Sequence, residues 1–141
     1  MVLISGNYKR TGMIPGFFEG LSGATFADMP GPLKTAYLDV NPDPQGLVNM
    51  FEKDRAKRLA FKDRPEETLQ GIKAPCLLIA GDQDVITPEH TVEMFRQIPG
   101  SRLALLPGNH GSFIGETLTA ETGSPMPELT AGIINAFLGT E

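Results

Sequence analysis

Three short apolar segments, each followed directly by glycine or proline, constrain the fold of this chain more than any other feature. They lie at residues 2–5, 76–80 and 102–106 and are nearly continuous in apolar side chains. Helical patterns separate the second segment from the third and follow the third. Strands that alternate with helices and are apolar along their length are typical of a parallel sheet covered on both faces. We therefore predict an α/β fold.

Polar residues follow two of the predicted strands. The first loop has the sequence Gly-Asp-Gln-Asp at 81–84, before a Thr-Pro helix start at 87–88. The second has the sequence Pro-Gly-Asn-His-Gly at 107–111. In open α/β sheets, functional sites lie beyond the carboxyl ends of the strands. The chemistry of this protein is therefore expected in these two loops.

Together, the two loops strongly resemble the closing segment of α/β-hydrolases. In that family a strand ends in Gly-Asp-x-Asp before a Thr-Pro helix start, and a later strand ends in Pro-Gly-x-His-Gly. The resemblance extends over about residues 65–139, and the order of acid before histidine agrees with it. It implies a partial α/β-hydrolase fold in which Asp84 is the acid and His110 the base of a catalytic triad.

These residue types suit acyl transfer. A neutral imidazole takes a proton from a hydroxyl nucleophile and later returns it to the leaving group, while a carboxylate fixes the tautomer of the imidazole. Asp82 is the weaker candidate for the acid, and we expect it to hold the turn by accepting nearby backbone N–H groups. Taken alone, the two aspartates could also be ordinary turn residues and His110 a surface histidine.

The nucleophile of such a triad has no counterpart in the sequence. The family displays it on a Gly-x-Ser-x-Gly elbow, and no such motif occurs among the 141 residues. The resemblance implies a core strand at 1–6, a helical cap at 7–64 and the C-terminal part of the core at 65–141. We therefore expect the nucleophile upstream of Met1, so that the chain is a fragment, has its start assigned too late, or is a natural half-protein. The serines present are expected in turns, loops or caps, and they are Ser5, Ser22, Ser101, Ser112 and Ser124.

The segment expected to form the cap is rich in Gly, Pro, Phe and Met. Helical patterns occur at about 14–21, 32–38 and 44–61. Its apolar side chains are candidates to line a pocket for the apolar acyl or aromatic group of a small-molecule substrate, although each could equally pack the cap itself. Because this fold also hosts dehalogenases, epoxide hydrolases, lyases and acyltransferases, the reaction subclass stays open. The candidate lining residues are Met13, Phe17, Phe18, Phe26, Met29 and Met50.

Composition and charge argue against several other classes of protein. A net charge of -5 with scattered cations gives no basic surface for a nucleic acid. No apolar stretch reaches the roughly 18 residues that span a bilayer, and no signal peptide is recognisable, so we expect a cytoplasmic protein. Two histidines and one cysteine without ligand-like spacing predict neither a metal nor a cofactor. We expect Cys76 to be buried and inert, and His90 to be exposed.

Two alternatives remain open. Haloacid dehalogenase-like phosphatases also use an Asp-x-Asp pair after a strand, but Ile86 stands where that family has Thr or Val, and too little chain follows to supply its remaining acidic loop. The other alternative is a non-catalytic half-domain or interaction module. Three parallel strands without neighbours would leave an unpaired sheet edge. We therefore expect a second copy of the chain, or a missing N-terminal half, as partner.

Overall fold

A three-stranded parallel sheet forms the centre of the structure, a computed structural model that describes residues 1–139. The strands are β1 (Val2–Ile4), β2 (Leu77–Gln83) and β3 (Arg102–Asn109), in the spatial order β1-β2-β3. Both pairs are parallel, and Leu77 lies opposite Val2 on one side and Arg102 on the other. The predicted parallel sheet is confirmed, although β3 extends to Asn109 instead of ending at residue 106.

Six α-helices accompany the sheet within the described residues. They are α1 (Phe17–Gly23), α2 (Gly31–Val40), α3 (Pro44–Leu59), α4 (Glu66–Gln70), α5 (Pro88–Gln97) and α6 (Met126–Leu138). Three 3-10 helices of one turn each lie at Arg10–Gly12, Phe26–Asp28 and Ser112–Ile114. None of the described helices combines the length and the apolar character that a membrane-spanning segment requires.

The two faces of β2 pack against different layers because successive side chains of a strand point to opposite faces. Leu78 belongs to a buried cluster that includes Tyr8 and Met94, the latter from α5. Leu77 and Ile79 belong to a second cluster around Phe113. The apolar side of α6 covers this second cluster with Ile133, Ile134 and Phe137. Helices therefore cover both faces of the central strand, as the apolar pattern predicts.

Proline and a capping side chain fix the starts of two helices. Pro44 and Pro88 occupy the first positions of α3 and α5, where the missing N–H costs nothing. Asp43 accepts a hydrogen bond from the Gln45 N–H, and Thr87 accepts one from the N–H of residue 90. Both helix starts agree with the sequence analysis.

The chain packs as two compact units. Met1–Ile14 and the chain from Asp63 onward form the sheet unit, and Pro15–Lys62 form the helical unit, which contains α1, α2 and α3. The sheet unit thus includes residues 7–14, which the sequence analysis grouped with the cap. Tyr8, in that segment, is only 2% exposed and belongs to the core cluster on the α5 side of the sheet.

Candidate active site

The carboxyl ends of β2 and β3 bring Asp84 and His110 together. The His110 Nδ1 lies 2.8 Å from the Asp84 Oδ1. The side chain of Asp84 is fully buried, whereas that of His110 is 51% exposed. An acid held inside the protein therefore faces a histidine whose ring reaches the surface.

A close approach of the two strands makes this contact possible. The register between β2 and β3 shifts between Gly81 and Gln83. A Cβ on Gly81 would lie 2.2 Å from the carbonyl oxygen of Gly108, so only glycine fits there. Asp82 Oδ1 accepts a hydrogen bond of 2.9 Å from the Gly108 N–H. Asp82 therefore accepts a backbone N–H as expected, but from the neighbouring strand and not from its own turn.

Three hydrogen bonds hold the Asp84 carboxylate. Oδ1 is bound by His110 and accepts the Ile86 N–H at 3.2 Å, and Oδ2 accepts the Ser5 hydroxyl at 2.5 Å. Burial raises the pKa of Asp84, but the hydrogen bonds from His110, Ser5 and the Ile86 N–H outweigh burial and hold that pKa below its ordinary value. Asp84 is therefore ionised at neutral pH and accepts the Nδ1–H of the histidine.

The loop around His110 is fixed through its backbone. Gly111, directly after the histidine, has a φ of 72°, in the left-handed region that favours glycine. The Thr119 hydroxyl donates to the His110 carbonyl oxygen at 2.7 Å, and it also contacts the Glu116 carboxylate at 3.2 Å. The backbone at His110 is thus held by the conformation of Gly111 and by the hydrogen bond from Thr119.

Ser5 is a site residue that the sequence analysis did not single out. It lies directly after β1 and has a φ of 48°, the one positive φ of a non-glycine residue in the described chain. Its side chain reaches a carboxylate 79 positions away in sequence. The signal that could have identified it is its place at the carboxyl end of a strand that neighbours the acid's strand in a parallel sheet.

The six predicted lining residues lie in different places. Met29 and Met50 line a cleft of about 490 Å³ in the helical unit, with Leu33 and Phe51 beside them. Phe26 packs edge to face on Phe51, with ring centroids 5.9 Å apart. Roles in substrate binding stay predictions for all six residues.

Phe26 and the other three residues lie outside the lining of that cleft. Phe17 and Phe18 pack edge to face against each other, with ring centroids 5.3 Å apart. Met13 belongs to the sheet unit, where its backbone pairs with Ile86, two residues after Asp84.

The expectation that His90 is exposed is wrong. Only 4% of this residue is exposed, because Tyr8 stacks on its ring with centroids 4.9 Å apart and donates its N–H to Nε2 at 3.2 Å. Burial holds the pKa of His90 below its ordinary value, despite Glu93 at 3.4 Å from Nδ1. His90 is a neutral core residue and takes no part in the pair formed by Asp84 and His110.

Cys76 is fully buried, as expected, and its thiol contacts the Ala74 carbonyl oxygen. Within residues 1–139, no group of three or more His, Cys, Asp or Glu side chains is gathered in a way that could hold a metal ion.

Comparison with known proteins shows which solved structures share this fold. No protein-family model and no curated protein matches the sequence. Solved structures do match. An α/β-hydrolase enzyme from a deep-sea metagenome library is 18% identical with a TM-score of 0.57, and a meta-cleavage product hydrolase from Pseudomonas fluorescens is 12% identical with a TM-score of 0.64. A thermophilic esterase from Thermogutta terrifontis is 20% identical with a TM-score of 0.56. The matches cover 100%, 99% and 98% of this chain. The chain therefore has the α/β-hydrolase fold in part, and it spans only 56%, 55% and 54% of the length of these structures.

Proposed function

We propose that this chain supplies the acid and the base of a catalytic triad that hydrolyses an ester, a thioester or a similar acyl bond. The observation that carries the proposal is the 2.8 Å contact between the Asp84 Oδ1 and the His110 Nδ1, formed by a buried acid at one strand end and a half-exposed histidine at the next. The solved structures that share the fold include an esterase, which favours acyl chemistry.

The pair performs proton transfer in this reaction. Ionised Asp84 holds the Nδ1–H of His110, which leaves the lone pair of the ring on Nε2. Nε2 takes the proton of the nucleophile's hydroxyl as that oxygen attacks the acyl carbon, and the imidazolium then protonates the leaving group. Water hydrolyses the covalent acyl intermediate by the same two proton transfers in turn. The charge on Asp84 stabilises the imidazolium in both steps.

The nucleophile comes from polypeptide outside these residues. The sequence contains no Gly-x-Ser-x-Gly elbow. Ser5 donates its proton to the acid, whereas a nucleophile must donate to the histidine. That the chain spans about half the length of the structures it resembles agrees with a nucleophile in the other half.

The substrate is a small molecule with an apolar acyl or aromatic group. This part of the proposal is supported by the cleft of the helical unit, where Met29, Met50, Leu33 and Phe51 supply an apolar lining. Mostly apolar walls with few polar groups are typical of small-molecule sites. Thioether side chains adapt to irregular ligands, which suits a range of acyl groups.

The test uses the full product of the natural reading frame that contains these residues. We expect that product to encode the serine elbow, to react with a serine-directed fluorophosphonate and to hydrolyse p-nitrophenyl esters. His110→Ala should then lower kcat/KM by about 10⁴-fold or more, because the general base is lost. A matched control is Asn109→Ala, which alters the neighbouring residue at the end of β3 and should keep most of the activity.

Two results would contradict the proposal. If His110→Ala leaves the rate of ester hydrolysis unchanged, His110 is not the base. If the natural product contains no elbow and reacts with no fluorophosphonate, the chain is a non-catalytic half-domain, the alternative left open by its sequence.

A further inference from the structure

Ser5 connects the edge strand of the sheet to the buried acid. Its N–H donates to the Ile79 carbonyl oxygen at 2.9 Å, which continues the pairing of β1 with β2 beyond Ile4. Its hydroxyl donates to the Asp84 Oδ2 at 2.5 Å. The backbone that joins these two bonds has a φ of 48°, which non-glycine residues adopt rarely. An uncommon backbone conformation thus directs one hydroxyl at one carboxylate oxygen.

The Asp84 carboxylate needs a donor on that side. Its side chain is fully buried, so no solvent compensates an oxygen that lacks a partner. Oδ1 already binds His110 and the Ile86 N–H. Within residues 1–139, Ser5 is the donor that reaches Oδ2. Without it, the carboxylate could rotate and turn both oxygens away from the imidazole.

We propose that Ser5 is a positioning residue of this site, whose hydroxyl fixes Oδ2 of Asp84 and so presents Oδ1 to the Nδ1–H of His110. The inference rests on the proposed function of the pair, and it adds a third member that acts through the acid. Ser5 thereby holds His110 in the Nδ1–H tautomer, in which Nε2 accepts the proton of the nucleophile.

The backbone conformation explains why the position suits serine. Glycine would adopt a φ of 48° more readily but carries no donor. Threonine carries the donor, but a β-branched side chain is strained in the left-handed region. Serine is the smallest side chain that supplies the hydroxyl. Strained backbone conformations of this kind occur preferentially at functional sites.

The tautomer of His110 is the direct readout. We would record the ¹⁵N spectrum of the ring nitrogens in the full chain, at a pH where both histidines are neutral, and assign His110 by its loss in His110→Gln. His90 is an internal reference, because its Nε2 accepts the Tyr8 N–H and its ring is buried. The test variants are Ser5→Ala and Ser5→Gly, the second of which removes the hydroxyl without strain at this φ. Ser112→Ala is the matched control, since its hydroxyl donates to the Asn109 carbonyl oxygen instead.

We expect wild type and Ser112→Ala to show His110 as the Nδ1–H tautomer, and both Ser5 variants to show a mixture of tautomers while the His90 signals stay in place. If Ser5→Ala also moves the His90 signals, the substitution has disturbed the core, and the test then depends on the His110 signals of Ser5→Gly. Unchanged His110 signals in Ser5→Gly, or a wild type without the Nδ1–H tautomer, would overturn the inference.

The result is independent of whether the chain takes part in hydrolysis, because no substrate or nucleophile is present. In the full natural product, Ser5→Gly should lower kcat by about 10- to 100-fold with KM unchanged, because a misplaced base slows only the chemical step. If that product hydrolyses nothing while the Ser5 variants still change the tautomer, the proposed function fails and the positioning role of Ser5 stands.

Discussion

Asp82 and Asp84 stand two residues apart, yet their surroundings give them different tasks. Asp82 is exposed and binds a backbone N–H of β3, whereas Asp84 is buried and binds the imidazole. In the active full-length product, Asp84→Asn should therefore lower kcat by about 10⁴-fold, because an amide favours the wrong tautomer of His110. Asp82→Asn is the matched control and keeps a group that can accept the Gly108 N–H. Equal losses in the two variants would show that the acid is misassigned.

The low pKa of Asp84 predicts how stability depends on pH. Burial raises this pKa, but the bonds from His110, Ser5 and the Ile86 N–H lower it further than burial raises it. The folded state therefore binds a proton on Asp84 less readily than the unfolded chain does. The stability that this group contributes is fully present above the unfolded pKa of about 3.9 and is lost as pH falls through the lower folded pKa.

We accordingly expect the free energy of unfolding of wild type to fall more steeply than that of Asp84→Asn between about pH 5 and about pH 2. Urea unfolding at a series of pH values measures the difference between the two proteins. A difference that stays constant over this range would mean that the carboxylate gains nothing from its partners in the folded state.

The sequence could predict that Asp84 and His110 lie together, but not which residues surround them. Asp84 and His110 stand out because each follows an apolar strand within a short motif of glycine and polar residues. Ser5 does not, because its bond to Asp84 depends on the order of strands in the sheet and on a backbone angle. His90 was assigned wrongly for a similar reason: the first turn of a helix is usually exposed, and only the fold brings Tyr8 across its ring.

At the scale of elements, Gly81 sets how closely β2 and β3 approach. A Cβ at this position would lie 2.2 Å from a backbone oxygen of β3, which cannot move without disturbing the pairing. Gly81→Ala should therefore lower the free energy of unfolding by about 1–3 kcal/mol, the usual cost of overpacking. Urea unfolding of the chain is the measurement.

The matched control for Gly81→Ala lies on α6. A Cβ on Gly132 would have open space around it, so Gly132→Ala should raise the stability by up to about 1 kcal/mol through helix propensity. If both substitutions have the same effect, the close approach of β2 and β3 does not depend on the missing Cβ.

Elements with strong local signals were predicted well, and elements without them were not. The starts of α3 and α5 follow from proline preceded by a capping residue. The end of β3 was placed too early, because Pro107 and Gly108 look like breakers, yet Gly108 continues the strand with a φ of 133°. The 3-10 helices, at three residues each, are too short to produce a periodic pattern.

At the scale of the whole chain, the sequence predicts the layers but not the limits of the units. Alternating strands and helices predict a covered parallel sheet, and this is what the sheet unit contains. The polar, glycine-containing segment at 7–14 gives no such signal. Two sets of contacts join it to the sheet unit. The ring of Tyr8 stacks on His90, and Lys9 forms salt bridges with Glu66 of α4 and Glu93 of α5. Contacts between segments so distant in sequence leave no local pattern.

The outer side of β1 is an open sheet edge within residues 1–139, since β2 is the one strand beside it. The Met1 carbonyl oxygen and the Ser5 N–H both bond to β2. Because the backbone groups of successive residues alternate in direction, the N–H groups of Val2 and Ile4 point outward, where they can pair with another strand. We therefore expect the isolated chain to self-associate through this edge, with a second copy of the chain as the partner.

Val2→Pro tests this edge without touching the pairing of β1 with β2. It removes one outward N–H at the first position of an edge strand, where proline is tolerated, and its ring obstructs an incoming strand. The dissociation constant of self-association, measured by analytical ultracentrifugation over a range of concentrations, should rise about tenfold.

Val2→Thr is the control, because it keeps the N–H and the shape of the side chain and should associate like wild type. A wild-type chain that stays monomeric at every concentration and unfolds in one sharp transition would show that this edge does not drive association. Equal weakening by Val2→Thr would assign the association to the side chain and not to the strand edge.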